Sequence, residues 1–328
     1  LLLYFALTFT SSWALWLASG VLQYGGQLPP LEHGWLVAQV GVFCPSLWAL
    51  VFTAIVREDL RRQCLGLLLG VFLPAVLLGL FIASQGVENP NDLPLATRIL
   101  ILALALLVLA VFLFSRRLLL VERGWLTARS LKWCLAAALQ LPLFFLLAWL
   151  IVNASGGNLG SGILTGGTAA LSGVVVLFAF DLVFGGALGE ELGWRGFALP
   201  RLLDRWSPLR SALVLGILWA LWHLPIDLAV GFGAAGAGGV VFRLLFTCSL
   251  SVIVVWYFIH SGHGMLAALL IHTTLNWLPV LEFTNYEAAM GLLFFMMFLI
   301  SLLIVFGDRS FKALSGWPRQ PNGSGKGR

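Results

Sequence analysis

The stretch AAMGLLFFMMFLISLLIVF, residues 288–306, decides the fold class of this chain. It contains no charged residue, and a helix needs about 20 mainly apolar residues to cross the hydrocarbon core of a bilayer. Other apolar runs of this kind precede it. Since a chain in lipid must satisfy its own backbone hydrogen bonds, the sequence predicts an all-α polytopic membrane helical bundle of about ten transmembrane helices. The nine further runs lie at roughly 1–22, 34–56, 64–85, 98–115, 131–152, 168–195, 211–231, 240–259 and 264–281.

The composition of the whole chain agrees with this prediction. Of its 328 residues, 60% are hydrophobic and 10% are charged, and the mean hydropathy is +0.98. A soluble domain carries about 25% charged residues, so this chain has too few to cover a water-exposed surface. The composition excludes a disordered chain and a nucleic-acid-binding domain, and no nucleic acid is expected as a partner.

Basic residues are distributed unevenly between the two sides of the predicted membrane. Of the 19 lysines and arginines, all but Arg98 and Arg243 lie near one side, in the loops after the second, fourth and sixth runs and in the tail. Cytoplasmic loops carry the excess of basic residues, so both termini are predicted to be cytoplasmic. Arginine outnumbers lysine, which hints at a GC-rich prokaryotic genome, and the expected location is the prokaryotic inner membrane, in contact with its lipids.

Polar residues divide the chain into three parts. Residues 1–165 keep them mainly in loops, whereas residues 166–285 place acidic residues, histidines and an asparagine in or beside the apolar runs. Residues 286–328 hold the last transmembrane helix and a basic tail, which is predicted to be disordered. Because ionisable residues inside a membrane are costly and usually functional, any chemistry is expected in the middle part.

An acidic pair occurs near the end of the sixth run, in the sequence Gly189-Glu190-Glu191-Leu192-Gly193-Trp194-Arg195-Gly196. On a helix, Glu191 can pair with Arg195 four residues later, while Glu190 points about 100° away. The glycines at 185, 189 and 193 form a ridge of small residues that lets another helix approach closely. This segment fits either a surface acidic–basic turn or a carboxylate held inside the membrane.

Histidines occur at membrane depth in two later runs. His223 follows Trp219 by four residues in the seventh run, and Asp227 is placed to orient it. His272 and Asn276 share one helix face in the ninth run and can donate hydrogen bonds into one cavity. Each group taken alone fits a structural contact between helices as well as a catalytic role.

Together these motifs resemble the type II CAAX prenyl protease and bacteriocin-processing family of intramembrane endopeptidases, often called CPBP or Abi proteins. The family pattern is EExxxR, then FxxxH, then HxxxN or HxxxD. This chain has Glu190-Glu191 with Arg195, Trp219 with His223, and His272 with Asn276. Tryptophan replaces phenylalanine in the second motif, a change that is not expected to disturb the chemistry. The resemblance covers roughly residues 175–282.

The resemblance implies hydrolysis of a peptide bond in a membrane-anchored or prenylated substrate. Glu190 and His223 would activate a water molecule, and His272 and Asn276 would donate to the developing oxyanion. The partner would be a membrane-anchored peptide or protein, such as a lipidated C-terminal tail. The full catalytic set is Glu190, Glu191, His223, His272 and Asn276. The supporting residues are Arg195, Asp227 and Trp219. Within these sets, Glu191 and Arg195 would hold the helix in place.

Two questions stay open at this point. Glu190, His223 and His272 would be the ligands if the enzyme used Zn²⁺, although a glutamate-activated water without any cofactor is favoured. The chain lacks HExxH, GxSG and GxGD motifs, so other classes of membrane protease fit less well. A non-catalytic immunity or scaffold protein and a transporter are the alternatives, the transporter being disfavoured by the ordered set of motifs.

Overall fold

The computed structural model describes residues 1–24, 32–84, 93–114, 128–156, 175–176, 178–183, 186–230, 236–262, 264–277 and 286–312. Among these residues, 92% are helical and none lies in a β-strand, which confirms the all-α prediction. The predicted loop at Asn153–Gly167 and the predicted disordered tail lie largely outside the described residues.

The helices are numbered here in chain order. In the first half they are α1 (Leu2–Tyr24), α2 (Glu32–Val56), α3 (Arg61–Leu67), α4 (Leu73–Ser84), α5 (Leu95–Phe114) and α6 (Ala128–Ala154). In the second half they are α7 (Ala187–Glu191), α8 (Leu199–Leu203), α9 (Pro208–Val230), α10 (Ala237–His260), α11 (Met265–Trp277) and α12 (Tyr286–Gly307). π-Helical segments join α3 to α4 (Leu68–Phe72) and α7 to α8 (Leu192–Ala198).

Several of these helices are suited to a membrane. In the part of the chain that the structure describes, five segments are long and apolar enough to cross a bilayer: Glu58–Leu78, Leu131–Ala154, Pro208–Asp227, Ala237–His260 and Met290–Gly307. Shorter apolar helices occur at Leu2–Leu17, Val40–Val56, Leu95–Val108 and Met265–Asn276. The protein is therefore a multi-pass integral membrane protein, while the count of ten spans and the cytoplasmic termini stay predictions.

Helix α2 packs closely against α7 and the π-helical segment that follows it. A Cβ atom added to Gly189 would lie 2.9 Å from the carbonyl oxygen of Val42, and one added to Gly193 would lie 2.5 Å from that of Pro45. The Ser46 hydroxyl donates a hydrogen bond to the carbonyl of Leu188 at 2.9 Å. The predicted close approach of another helix is thus confirmed at Gly189 and Gly193, and α2 is that helix.

The prediction of one continuous span over residues 168–195 is wrong. Gly186 adopts a φ angle of +110°, and helix α7 begins after it, at Ala187. This angle lies in a region that residues with a Cβ rarely adopt, so the break depends on glycine. At the other end, the helical path continues past Arg195 to Leu203. Glu190 therefore lies in the first turn of a helix.

Candidate active site

A cavity of about 170 Å³ lies between the helices of the second half of the chain, and residues of α1 and α2 also line it. Glu190, His223, His272 and Asn276 all line it, so the four side chains to which the resemblance gives roles in hydrolysis lie around one cavity. The other described residues that line it are Trp16, Val42, Trp219, Ile226, Arg243, Phe246, Thr247, Leu250 and Leu275.

The two oxygens of Glu190 have different surroundings. Oε2 accepts hydrogen bonds from the indole nitrogen of Trp219 at 2.6 Å and from that of Trp194 at 3.2 Å. Oε1 lies 3.9 Å from Nε2 of His272, which is too long for a direct hydrogen bond but suits a bridging water. Glu190 is thus held by one oxygen, while the other faces His272. Its side chain is buried, with only about 4% of its surface exposed.

Gly186 lies directly beside these groups. A Cβ atom added to it would be 3.0 Å from Oε1 of Glu190 and 3.6 Å from Nδ2 of Asn276. Both polar atoms therefore border the same small space, which the missing side chain leaves open. Sequence reasoning did not include Gly186 in the site, because a glycine followed by an apolar helix carries no chemical signal of its own.

Glu191 connects the first motif to the third. Its Oε1 accepts from Nη1 of Arg195 at 2.7 Å and also lies 2.7 Å from Nδ1 of His272. Glu191 and Arg195 are about 1% and 0% exposed, so the interpretation as a surface acidic–basic turn is wrong. Since a carboxylate accepts hydrogen bonds, Nδ1 of His272 is the donor, and Nε2 is directed towards Glu190. Glu191 is absent from the cavity lining, so its geometry is that of a positioning residue.

Trp219 contacts more of the site than its motif position suggested. Besides donating to Glu190, its ring lies 4.4 Å from the guanidinium carbon of Arg195 and 5.4 Å, centroid to centroid, from the ring of His272. A phenylalanine at this position has no N–H and could not donate to Glu190. The replacement of phenylalanine by tryptophan, which was expected to leave the chemistry undisturbed, therefore adds a hydrogen bond to the site.

His223 is oriented differently from the prediction. Its Nδ1 lies 2.9 Å from the carbonyl oxygen of Trp219, so this nitrogen donates and Nε2 carries the lone pair in the neutral ring. Asp227 was predicted to orient it. Instead, Asp227 accepts from Arg243 through both oxygens, at 2.6 Å from Nε and 2.5 Å from Nη2. That prediction is wrong, because the partner of Asp227 is an arginine on the neighbouring helix α10.

Asp181 is a buried carboxylate that the predicted site lacked. Its carboxylate lies close to the side chain of Asn276 and interacts electrostatically with His272 and Glu190. It is 8% exposed, and its Oδ2 finds no hydrogen-bond partner among the described residues. An aspartate inside an apolar run was the available signal, but it belongs to no recognised motif.

The side chains named as zinc ligands, Glu190, His223 and His272, are already engaged or lie apart. Nδ1 of His272 is engaged by Glu191, and Oε2 of Glu190 by two indoles. Among the described residues, no group of three histidine, cysteine, aspartate or glutamate side chains lies close enough together to hold a metal ion. Glu190, His223 and His272 therefore do not form a ligand set in this conformation, and no catalytic step is assigned to a metal.

Comparisons with known proteins identify the part of the chain that carries these residues. Residues 170–278 match the family model described as type II CAAX prenyl endopeptidase, Rce1-like. The chain is also 29% identical over 154 residues to CAAX prenyl protease 2 of Methanococcus maripaludis, a match that covers 45% of this chain and 55% of that protein. The chain thus spans about half the length of this curated relative. Residues 170–278, about a third of the chain, hold every motif residue described above, so this part of the chain is similar to the CAAX prenyl endopeptidase family.

Proposed function

We propose that this protein is an intramembrane endopeptidase of the CAAX-protease type, which hydrolyses a peptide bond by means of a water molecule activated by Glu190 and His223. One observation carries the proposal. Glu190 is a buried carboxylate with one oxygen held by two indole N–H groups and the other facing His272 across 3.9 Å, in a cavity that His223 and Asn276 also line. The similarity of residues 170–278 to the CAAX prenyl endopeptidase family model supports the same class of reaction.

The proposed reaction begins with water held at Oε1 of Glu190. The carboxylate accepts a proton as the water oxygen attacks the carbonyl carbon of the substrate. The oxyanion that forms accepts hydrogen bonds from Asn276 Nδ2 and from His272, whose protonated ring is stabilised by Glu191. The tetrahedral intermediate then breaks its C–N bond. The proton from Glu190 passes to the leaving amine, which yields a carboxylic acid and an amine.

The lone pair on Nε2 of His223 gives this residue a role on the same water. The contact of Nδ1 with the Trp219 carbonyl fixes the ring, so Nε2 can accept a hydrogen bond from the attacking water. The apolar part of the lining and the membrane location favour a membrane-anchored peptide or protein as substrate. A lipidated C-terminal tail is the substrate class that the family suggests.

The test uses purified protein in lipid nanodiscs and a lipidated peptide with a fluorophore and quencher on either side of the scissile bond. Glu190→Gln keeps the shape of the side chain but removes the base, so turnover is expected to fall by at least about 100-fold with the fold intact. His223→Ala is expected to do the same. Glu58→Gln is the matched control, because this carboxylate is 85% exposed. Full activity in Glu190→Gln would overturn the mechanism, and no cleavage by the wild type of any lipidated or membrane-anchored peptide would favour a non-catalytic protein.

A further inference from the structure

The cavity is not built from the family-matched region alone. Trp16 on α1 and Val42 on α2 lie in the first half of the chain, whereas the other described residues that line the cavity lie between 190 and 276. Each of the two residues is next to a group that the proposed function uses. The ring of Trp16 is roughly parallel to that of His223, 6.5 Å away, and Cγ1 of Val42 would be 3.3 Å from a Cβ on Gly186, beside Glu190.

Trp16 is held firmly in this position. It is 4% exposed and its ring lies 4.6 Å from that of Trp222. A Cβ on Gly41 would overlap the Trp16 indole nitrogen, so only glycine at this position of α2 admits the indole. One turn earlier, the Ser12 hydroxyl donates to the Gly41 carbonyl at 2.8 Å. Helix α1 is therefore fastened to α2 at the level of the cavity.

We propose that Trp16 and Val42 form an apolar wall that binds the substrate side chain next to the scissile bond and limits its size. This inference rests on the proposed function and assigns a role to α1 and α2. An indole and an isopropyl group favour an apolar side chain over a polar one. At about 170 Å³ the cavity is smaller than the 300–1,000 Å³ or so typical of sites for drug-sized ligands, so it takes a short piece of peptide while a long lipid chain stays in the bilayer.

The first experiment measures kcat/KM for peptides that differ only in the residue flanking the scissile bond, from alanine through leucine to phenylalanine. Trp16→Phe and Val42→Ala enlarge the cavity without adding polarity, so each is expected to raise the phenylalanine-to-alanine ratio at least about 10-fold. Trp13→Phe is the control on the same helix. Trp13 donates to the Trp222 carbonyl at 2.9 Å and is not part of the lining, so its replacement is expected to leave the ratio unchanged. Unchanged ratios in both cavity variants would overturn the proposal that Trp16 and Val42 limit the size of the substrate side chain.

A second measurement is independent of turnover. A peptide with a photoreactive leucine analogue at the flanking position is irradiated with the Glu190→Gln protein, and the adducts are located by mass spectrometry. Adducts are expected in peptides that contain Trp16 or Val42. Adducts confined to residues 186–277, or no specific adduct, would overturn the proposal that Trp16 and Val42 contact the substrate side chain. If Glu190→Gln cleaved as well as the wild type, the proposed mechanism would fail, while adducts on α1 or α2 would still support the wall.

Discussion

His272 and Glu191 are joined by a contact of 2.7 Å between Nδ1 and Oε1, although 81 residues separate them in the chain. The same oxygen accepts from Arg195. One carboxylate thus compensates a buried guanidinium and fixes the orientation of an imidazole. In other proteins a carboxylate on one ring nitrogen sets the tautomer and presents the second nitrogen to the site. Here the second nitrogen of His272 faces Glu190.

Glu191→Gln is expected to lower stability as well as activity. The change leaves Arg195 buried without its charge partner, and breaking a buried ion pair costs about 3–5 kcal/mol. Thermal unfolding of the purified protein measures the loss. Asp59→Asn is the control, because it breaks an exposed pair with Arg57, whose contribution is expected to stay below about 1 kcal/mol. Equal stability of the two variants would contradict the role given to Glu191.

Trp219→Phe is expected to lower kcat about 10-fold and to leave KM unchanged. The variant keeps an aromatic ring beside Arg195 but loses the N–H that donates to Glu190 at 2.6 Å, a bond to a charged group. Trp222→Phe is the matched control, since its buried indole N–H has no hydrogen-bond partner among the described residues. The orienting role of Trp219 is disproved should both variants lose kcat to the same extent.

Asn276→Ala is expected to reduce kcat about 100- to 1,000-fold, as for loss of one oxyanion donor. Thr274→Val on the same helix is the control, because the Thr274 hydroxyl donates to the carbonyls of Leu270 and Ile271 within its own helix. Single-turnover kinetics on the fluorogenic peptide separate this loss from weaker binding. A rise in KM with unchanged kcat would show that Asn276 binds the substrate instead of stabilising the transition state.

Metal chelators are expected to leave activity unchanged. Turnover is measured before and after dialysis against a chelator, and the zinc content of the purified protein is measured by mass spectrometry. Stoichiometric zinc, together with loss of activity on chelation and recovery on adding Zn²⁺, would favour Glu190, His223 and His272 as metal ligands in a conformation that brings them closer together.

The predicted topology is tested by labelling a single introduced cysteine. Ser155→Cys places a thiol at the exposed end of α6, on the side predicted to face away from the cytoplasm. A membrane-impermeant maleimide is expected to react with it in intact cells. Cys44, Cys64 and Cys134 are buried, which keeps background labelling low, and Cys248 is replaced by alanine. If the thiol reacted only after the cells were opened to expose the cytoplasmic side, the predicted orientation would be wrong.

The sequence was sufficient to predict contacts between residues that lie close together in the chain. Apolar run length indicated the helices, and the spacing of four residues identified the Glu191–Arg195 pair. The sequence was not sufficient for partners on different helices. The pairing of Asp227 with Arg243 and the contact of His272 with Glu191 depend on how each helix is rotated about its axis, which spacing within one helix does not determine. The break at Gly186 was missed because a glycine is tolerated within a predicted span.

The glycine at 186 offers a way to close the site without removing any of its charges. A methyl group there would lie within 3.0 Å of Oε1 of Glu190 and 3.6 Å of Nδ2 of Asn276, and would occupy the place between them. A protein carrying alanine at this position would keep every ionisable side chain of the site, at the cost of about 1–3 kcal/mol of backbone strain. In this variant the space between Glu190 and Asn276 is filled, whereas in Glu190→Gln the carboxylate charge is removed. Comparing the two proteins would separate the effect of the space from the effect of the charge.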